Sequence, residues 1–180
     1  MEWLGEPREW QEQGGELVVR TDPRTDFWRT THYGFVRDNG HFRWMWAEGD
    51  WQAEVRVAGE YRDQYDQAGL MVRLDERNWV KCGIEFFDGR QHLSVVVTRD
   101  YSDWSVVPLE GDPPAVGLRV VRQGDTVEVH AAPAGADYRL LRLAYLAPAD
   151  RVQVGMMCAS PEGGGFRVRF GGLGVVAREP

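Results

Sequence analysis

Apolar and polar residues alternate with period two from one end of the chain to the other, and helical periodicity is nearly absent. Side chains on a strand point to opposite faces in turn, so this pattern commits the backbone to strands that bury one face. The spacing predicts strands over 16–21, 41–47, 51–58, 68–74, 79–86, 91–98 and 104–107, then over 117–122, 126–131, 138–144, 152–159, 166–170 and 173–176. Short turn signals separate them: Asn39-Gly40, Glu48-Gly49-Asp50, Asp88-Gly89, Gly124-Asp125 and the glycines 163–165. About a dozen short strands at such intervals fold as a sandwich or a barrel. No shift of composition or charge marks a linker, and 180 residues suit one domain, so 1–180 is read as a single domain.

The middle of the chain fixes its own register. Asp88-Gly89 favours a two-residue type I′ hairpin, with positive φ at both positions. That turn sets Ile84 opposite Leu93, Cys82 opposite Val95 and Val80 opposite Val97 on one apolar face. On the other face Glu85 meets His92, Gly83 meets Ser94, Lys81 meets Val96 and Trp79 meets Thr98. A slip of one residue would scramble this sorting. A short loop around 74–78 aligns the preceding strand likewise: Val72 with Val80 and Leu70 with Cys82 inside, Arg73 with Trp79, Met71 with Lys81 and Gln67 with Glu85 outside.

Three neighbouring strands thus present Gln67, Arg73, Trp79, Lys81, Glu85 and His92 on one surface, with Trp104 beside them on the next strand. Tryptophan faces stack on the apolar side of a pyranose, and planar or charged side chains address its hydroxyl rim. Gly69 and Gly83 on the same face leave room for a ligand close to the backbone. These seven residues are the candidate binding set. In that reading Arg73 and Lys81 are dispensable for folding but not for binding; the competing reading is a solvated outer face whose charges pair across strands. The segment 22–40 is long for a loop and carries Phe27, Trp28, His32 and Tyr33. It is expected either to cover an edge of the polar face or to plug the end of the sandwich.

Other chemistries find little support. A formal net charge of −7, with Lys and Arg scattered among acids, argues against nucleic-acid and anionic-membrane partners. No apolar run reaches the roughly 18 residues of a membrane helix. The first residues lack a basic stretch followed by an apolar one. Two cysteines, Cys82 and Cys158, read as reduced thiols of a cytoplasmic protein, with Cys82 buried and Cys158 the more exposed. The four histidines are isolated, so no metal site is expected, although Asp22, Asp26 and Asp38 share the long loop. No cofactor is expected, and the chain is read as a monomer or small homo-oligomer.

The segments Tyr65-Asp66-Gln67-Ala68-Gly69-Leu70-Met71-Val72-Arg73, Asn78-Trp79-Val80-Lys81-Cys82-Gly83-Ile84-Glu85 and Asp103-Trp104-Ser105 resemble the regulation-of-enolase-type family of concanavalin A-like domains. Thr25-Asp26-Phe27-Trp28 upstream and the stretch from Val152 through Pro161 fit as well, so the resemblance spans nearly the whole chain. It implies an all-β fold, a two-sheet antiparallel jelly-roll sandwich, in a superfamily where carbohydrates often bind the concave sheet. Glucanases on this fold carry Glu-x-Asp-x-(x)-Glu on one strand. The nearest run here, Glu48-Gly49-Asp50-Trp51-Gln52-Ala53-Glu54, departs from that spacing and opens on a turn. No catalytic residue is therefore assigned. The expected function is non-catalytic binding of a small carbohydrate or sugar derivative on the concave sheet. The alternatives are a carbohydrate-active enzyme using Glu85 and His92, and a protein–protein regulatory module of carbohydrate metabolism.

Overall fold

The computed structural model describes residues 1–133 and 135–178 and contains strands but no helix. No helix long and apolar enough to cross a membrane is present among them. The fold is a jelly-roll sandwich of two seven-stranded antiparallel sheets. The first sheet runs, edge to edge, β1 (Glu2–Leu4), β6 (His41–Glu48), β15 (Arg151–Ala159), β8 (Gln67–Arg73), β9 (Asn78–Phe87), β10 (Arg90–Arg99) and β11 (Tyr101–Pro108). The second runs β14 (Arg139–Tyr145), β13 (Thr126–Pro133), β12 (Val116–Gln123), β7 (Trp51–Gly59), β16 (Arg167–Ala177), β3 (Glu16–Arg20) and β2 (Glu9–Gln13). A small pair, β4 (Phe27–Arg29) and β5 (Val36–Asp38), lies apart from both.

Alternation sorts the residues as the sequence requires. Val80, Cys82 and Ile84 of the first sheet meet Val55, Val57, Leu118 and Phe170 of the second in one buried core. The Asp88-Gly89 turn has φ of 52° and 77°, as a type I′ hairpin demands. The β9–β10 and β8–β9 registers are those expected, including Glu85 opposite His92, Cys82 opposite Val95 and Arg73 opposite Trp79.

Several expectations are corrected. Four further strands, β1, β2, β4 and β5, lie outside the expected set: β1, β4 and β5 have three residues each, and β2 is almost wholly polar, so none shows periodicity. The two strands expected over 166–170 and 173–176 are one bulged strand, Arg167–Ala177, because the register shift between Gly171 and Gly174 lets β16 continue past the glycines. Cys158 is as buried as Cys82, since β15 carries it across the core opposite Ala68. Burial pushes both thiols up, that of Cys82 to about 12, which leaves little nucleophilic thiolate. Gly69 and Gly83 face each other across β8 and β9, and a Cβ on either would strike backbone of the adjacent strand, the Cys82 or Ala68 carbonyl. Glycine here serves close approach of two strands rather than of a ligand.

His41 ties distant turns together. Its Nε2 accepts the Asp22 amide at 2.9 Å and its Nδ1 lies 2.6 Å from the Gly5 carbonyl, which fixes a neutral ring protonated at Nδ1. Burial pushes the imidazole below its ordinary value. The unfolded chain therefore takes up the proton first. His41's contribution to stability is complete above about pH 6.5 and is lost as the pH falls from there through the lower folded value. Melting temperature is expected to drop between about pH 7.5 and 5.5; a flat profile, with the His41 ring titrating normally by NMR, contradicts this.

Candidate functional site

The outer face of the first sheet, pointing away from the sandwich core, is roofed. Segment 22–40 folds back over it as the β4–β5 hairpin. The Arg29 amide is anchored to Ser102 Oγ at 2.9 Å, and Thr25 to Ser160 through amide and hydroxyl bonds of 3.3 and 3.0 Å. Phe27 and Trp28 pack on Phe42, Trp44, Met71, Trp79, Val96 and Met157, forming a second core outside the sandwich. Of the two expected roles for this segment, covering the face is the one observed.

The roof separates the seven expected binding residues into two groups. Trp79 has no exposed surface, meets Phe27 edge-on at 6.4 Å, and offers no stacking platform. Arg73 reaches past it to Asp38 in a bidentate pair at 2.7 and 2.8 Å. His92 is buried against Phe87, with Nδ1 3.1 Å from the Arg90 carbonyl. None of these three lines the pocket: Arg73 and Trp79 hold the cover, and His92 packs within its own sheet. Gln67, Lys81, Glu85 and Trp104 do line it. Trp104, opposite Val96, shares their face.

That pocket has a cavity volume of about 140 Å³, below the roughly 300–1,000 Å³ of drug-sized sites, so it suits a ligand no larger than a single small ring. Its walls include Trp28, Tyr33 and Phe35 from the covering segment and Tyr65 from the turn before β8. Asp26, Arg37, Pro161 and Glu162 complete it. The sequence reading did not assign these eight residues to the site. The aromatic run in segment 22–40 was the signal; for Tyr65, held at φ 67°, only its place next to Gln67 hinted at it. Tyr33 and Tyr65 bridge the rim through their hydroxyls at 3.0 Å, a bond that, with burial, pushes Tyr33 up to about 12. Arg37 lies over the Phe35 ring at 4.5 Å.

The floor is ionic. Lys81 Nζ donates to the Phe27 carbonyl at 2.7 Å and to Gln67 Oε1 at 2.5 Å, and lies 3.6 Å from Asp26 Oδ1. Glu85 Oε2 accepts from Ser94 Oγ at 2.6 Å and from Trp104 Nε1 at 2.9 Å. Among the described residues no protein donor reaches Glu85 Oε1. Burial raises the Glu85 carboxyl above the usual range, against the opposing pull of Lys81 and its two hydrogen bonds. A buried carboxyl with one unengaged oxygen, ringed by aromatic faces, is equipped to accept a hydrogen bond from a ligand seated on those faces.

The other constellations disperse. Glu48 ends β6, Gly49 and Asp50 form the turn into β7, and Asp50 Oδ1 accepts the Gly124 amide. Glu54 sits on the outer face of the other sheet, paired with Arg119 at 2.7 Å. Asp26 and Asp38 serve separate cations, and the Asp22 amide is held by His41. Among the described residues no group of three or more His, Cys, Asp and Glu side chains is placed to hold a metal.

Residues 3–176 match the family described as protein of unknown function (DUF1349). The chain is 40% identical over 168 residues to "Regulation of enolase protein 1" of Saccharomyces cerevisiae, covering 93% of this chain and 85% of that one. A crystal structure of a functionally unknown protein from Saccharomyces cerevisiae superposes with a TM-score of 0.95 at 38% identity, over 99% of this chain and 97% of the other. The carbohydrate-binding module CBM66 from Bacillus subtilis superposes with a TM-score of 0.61 over 97% of this chain and 95% of its own; at 13% identity the likeness is one of fold.

Proposed function

The chain belongs to the DUF1349 family, and from that premise we propose that it is a single non-catalytic cytoplasmic domain that binds a small carbohydrate or sugar derivative in the roofed pocket of its first sheet. The observation that carries this reading is the pairing of aromatic walls with the unengaged Glu85 oxygen at the floor. A pyranose has an apolar face that stacks on Trp104 or Tyr65 and a hydroxyl rim that donates to a carboxyl. The carbohydrate-binding module of the same fold and the regulatory name of the yeast relative are consistent with a sensing role in sugar metabolism. Two unpaired thiols accord with a reducing compartment.

Thermal melting against a panel of mono- and disaccharides tests the reading. A sugar at about 100 times its dissociation constant adds about 2.7 kcal/mol, a rise of roughly 5–10 °C for a chain of this size. Tyr33 is half exposed, so Tyr33→Ala is expected to fold and to bind at least about tenfold more weakly, having lost one wall and the rim bridge. A ligand whose shift survives both Tyr33→Ala and Glu85→Gln binds elsewhere, and the assignment of this pocket fails.

A further inference from the structure

At its floor the pocket offers its ligand acceptors, and most of the donors there are already engaged. Two of the three Lys81 protons go to the Phe27 carbonyl and Gln67 Oε1, and the ammonium group leans on Asp26. The Gln67 amide donates to the Tyr65 carbonyl at 3.1 Å and towards Asp26 at 3.5 Å. Trp28 Nε1 is bound to the Thr31 carbonyl, and Trp104 Nε1 to Glu85 itself. Among the described residues Glu85 Oε1 has no donor, and the contacts to Asp26 all fall on Oδ1, which leaves its Oδ2 free as well. Charge points the same way. Asp26 and Glu85 are two buried carboxyls facing one buried ammonium, so a fully ionised floor carries one uncompensated negative charge. At the mouth Arg37 and Glu162 offset each other. A buried charge without a partner is costly, and a cation from outside would supply that partner. The walls suit a cation too, since aromatic faces present negative potential to it.

We infer that the ligand carries a protonated amine beside its hydroxyls: the pocket takes a hydroxylated amine of the hexosamine type, its ammonium group paired with Glu85 Oε1 and its ring face on the aromatic walls. This rests on the carbohydrate reading above and narrows it. The basic residues of the sheet face do not call for an acidic ligand, because Arg73 and His92 are outside the pocket and Lys81 is engaged. Uronic acids and sugar phosphates, which bring further negative charge against two buried carboxyls, are expected not to bind.

The pairing has a proton signature. The groups that face Glu85 are Lys81 on its own strand, Ser94 and the register partner His92 on β10, Trp104 on β11, and Asp26, Tyr33 and Arg37 from the covering segment, with Glu162 at the mouth. Their balance raises the Glu85 carboxyl above its ordinary value when the pocket is empty. An ammonium ion pairs with the carboxylate, so its binding favours the ionised form and the release of any proton held there. Affinity for the amine therefore increases as the pH rises through the Glu85 titration and declines only once the ligand's own ammonium deprotonates.

Calorimetry of the full chain with glucosamine, galactosamine and mannosamine, against the parent hexoses, their N-acetyl forms and glucuronate, decides the matter. A free amine is expected to bind at least about tenfold tighter than its parent hexose and than its N-acetyl form, because a charge-assisted hydrogen bond is about twice as strong as a neutral one. Glucuronate should give no heat. Glu85→Gln should equalise amine and hexose. Should that variant fold poorly, titrating the unaltered protein in two buffers of different ionisation enthalpy reads the same event as proton release on amine binding alone. Neutral hexoses binding as well as the amines, with no proton released, overturns this inference and leaves the carbohydrate reading standing. No heat from any hexose or hexosamine overturns the carbohydrate reading, and this inference with it.

Discussion

Lys81→Met is expected to cost about 3–5 kcal/mol of folding stability, the penalty for breaking a buried ion pair by removing one partner. The expectation from sequence was the opposite, that Lys81 stands on a solvated face and contributes little. The ammonium group is instead 4% exposed, and it holds the Phe27 carbonyl, Gln67 and Asp26 together under the roof. Methionine fills a similar volume but leaves a buried carbonyl without its donor and Asp26 without its counter-ion. Urea unfolding measures the loss. A double-mutant cycle with Asp26→Asn apportions it, with an expected coupling above about 1 kcal/mol for two groups in contact. A loss below about 0.5 kcal/mol, the usual figure for a surface position, would mean that the roof opens in solution and leaves Lys81 wet.

Trp79→Ala should be as damaging, about 3–5 kcal/mol, equivalent to a fall in melting temperature of roughly 6–20 °C. The indole has no exposed surface and is enclosed by the roof and its neighbours on the sheet. Deleting it leaves a cavity beneath Phe27, which carries the Lys81 acceptor, so ligand affinity should fall together with stability. Trp79→Phe separates packing from polarity. The indole N–H is buried without a partner, and phenylalanine removes that unsatisfied donor while keeping most of the ring. Its cost is expected to be less than half that of the alanine variant. If Trp79→Ala melts with the unaltered protein, Trp79 is not packed under the roof.

Both results turn on the difference between what a strand pattern specifies and what it leaves open. Two-residue periodicity and one Asp-Gly turn were enough to pair Glu85 with His92 and Cys82 with Val95, because the turn couples residues close in sequence and the side-chain period admits no slip. The same pattern assigned Gln67, Lys81 and Glu85 to one face, where they are found. It could not say what lies above that face. An alternating strand with a mixed outer surface looks the same whether water or another part of the chain covers it. Here the cover comes from far away in sequence: Phe27 lies 54 residues from the lysine it accepts from, and Asp38 lies 35 from Arg73.

Sequence by itself therefore determined the sheet class, the register at the centre of the first sheet and the set of polar side chains sharing its outer face. Tertiary structure decided which of those side chains are fasteners and which are left for a ligand. Arg73 and Trp79 went to the first use, and Glu85, with Trp104 and the aromatic residues of the covering hairpin, to the second; His92 packs on Phe87 within the sheet and serves neither. The reason is that hydrogen-bonding capacity is finite. A donor's availability depends on every acceptor within reach, and those acceptors are brought within reach only when the chain closes over its own sheet.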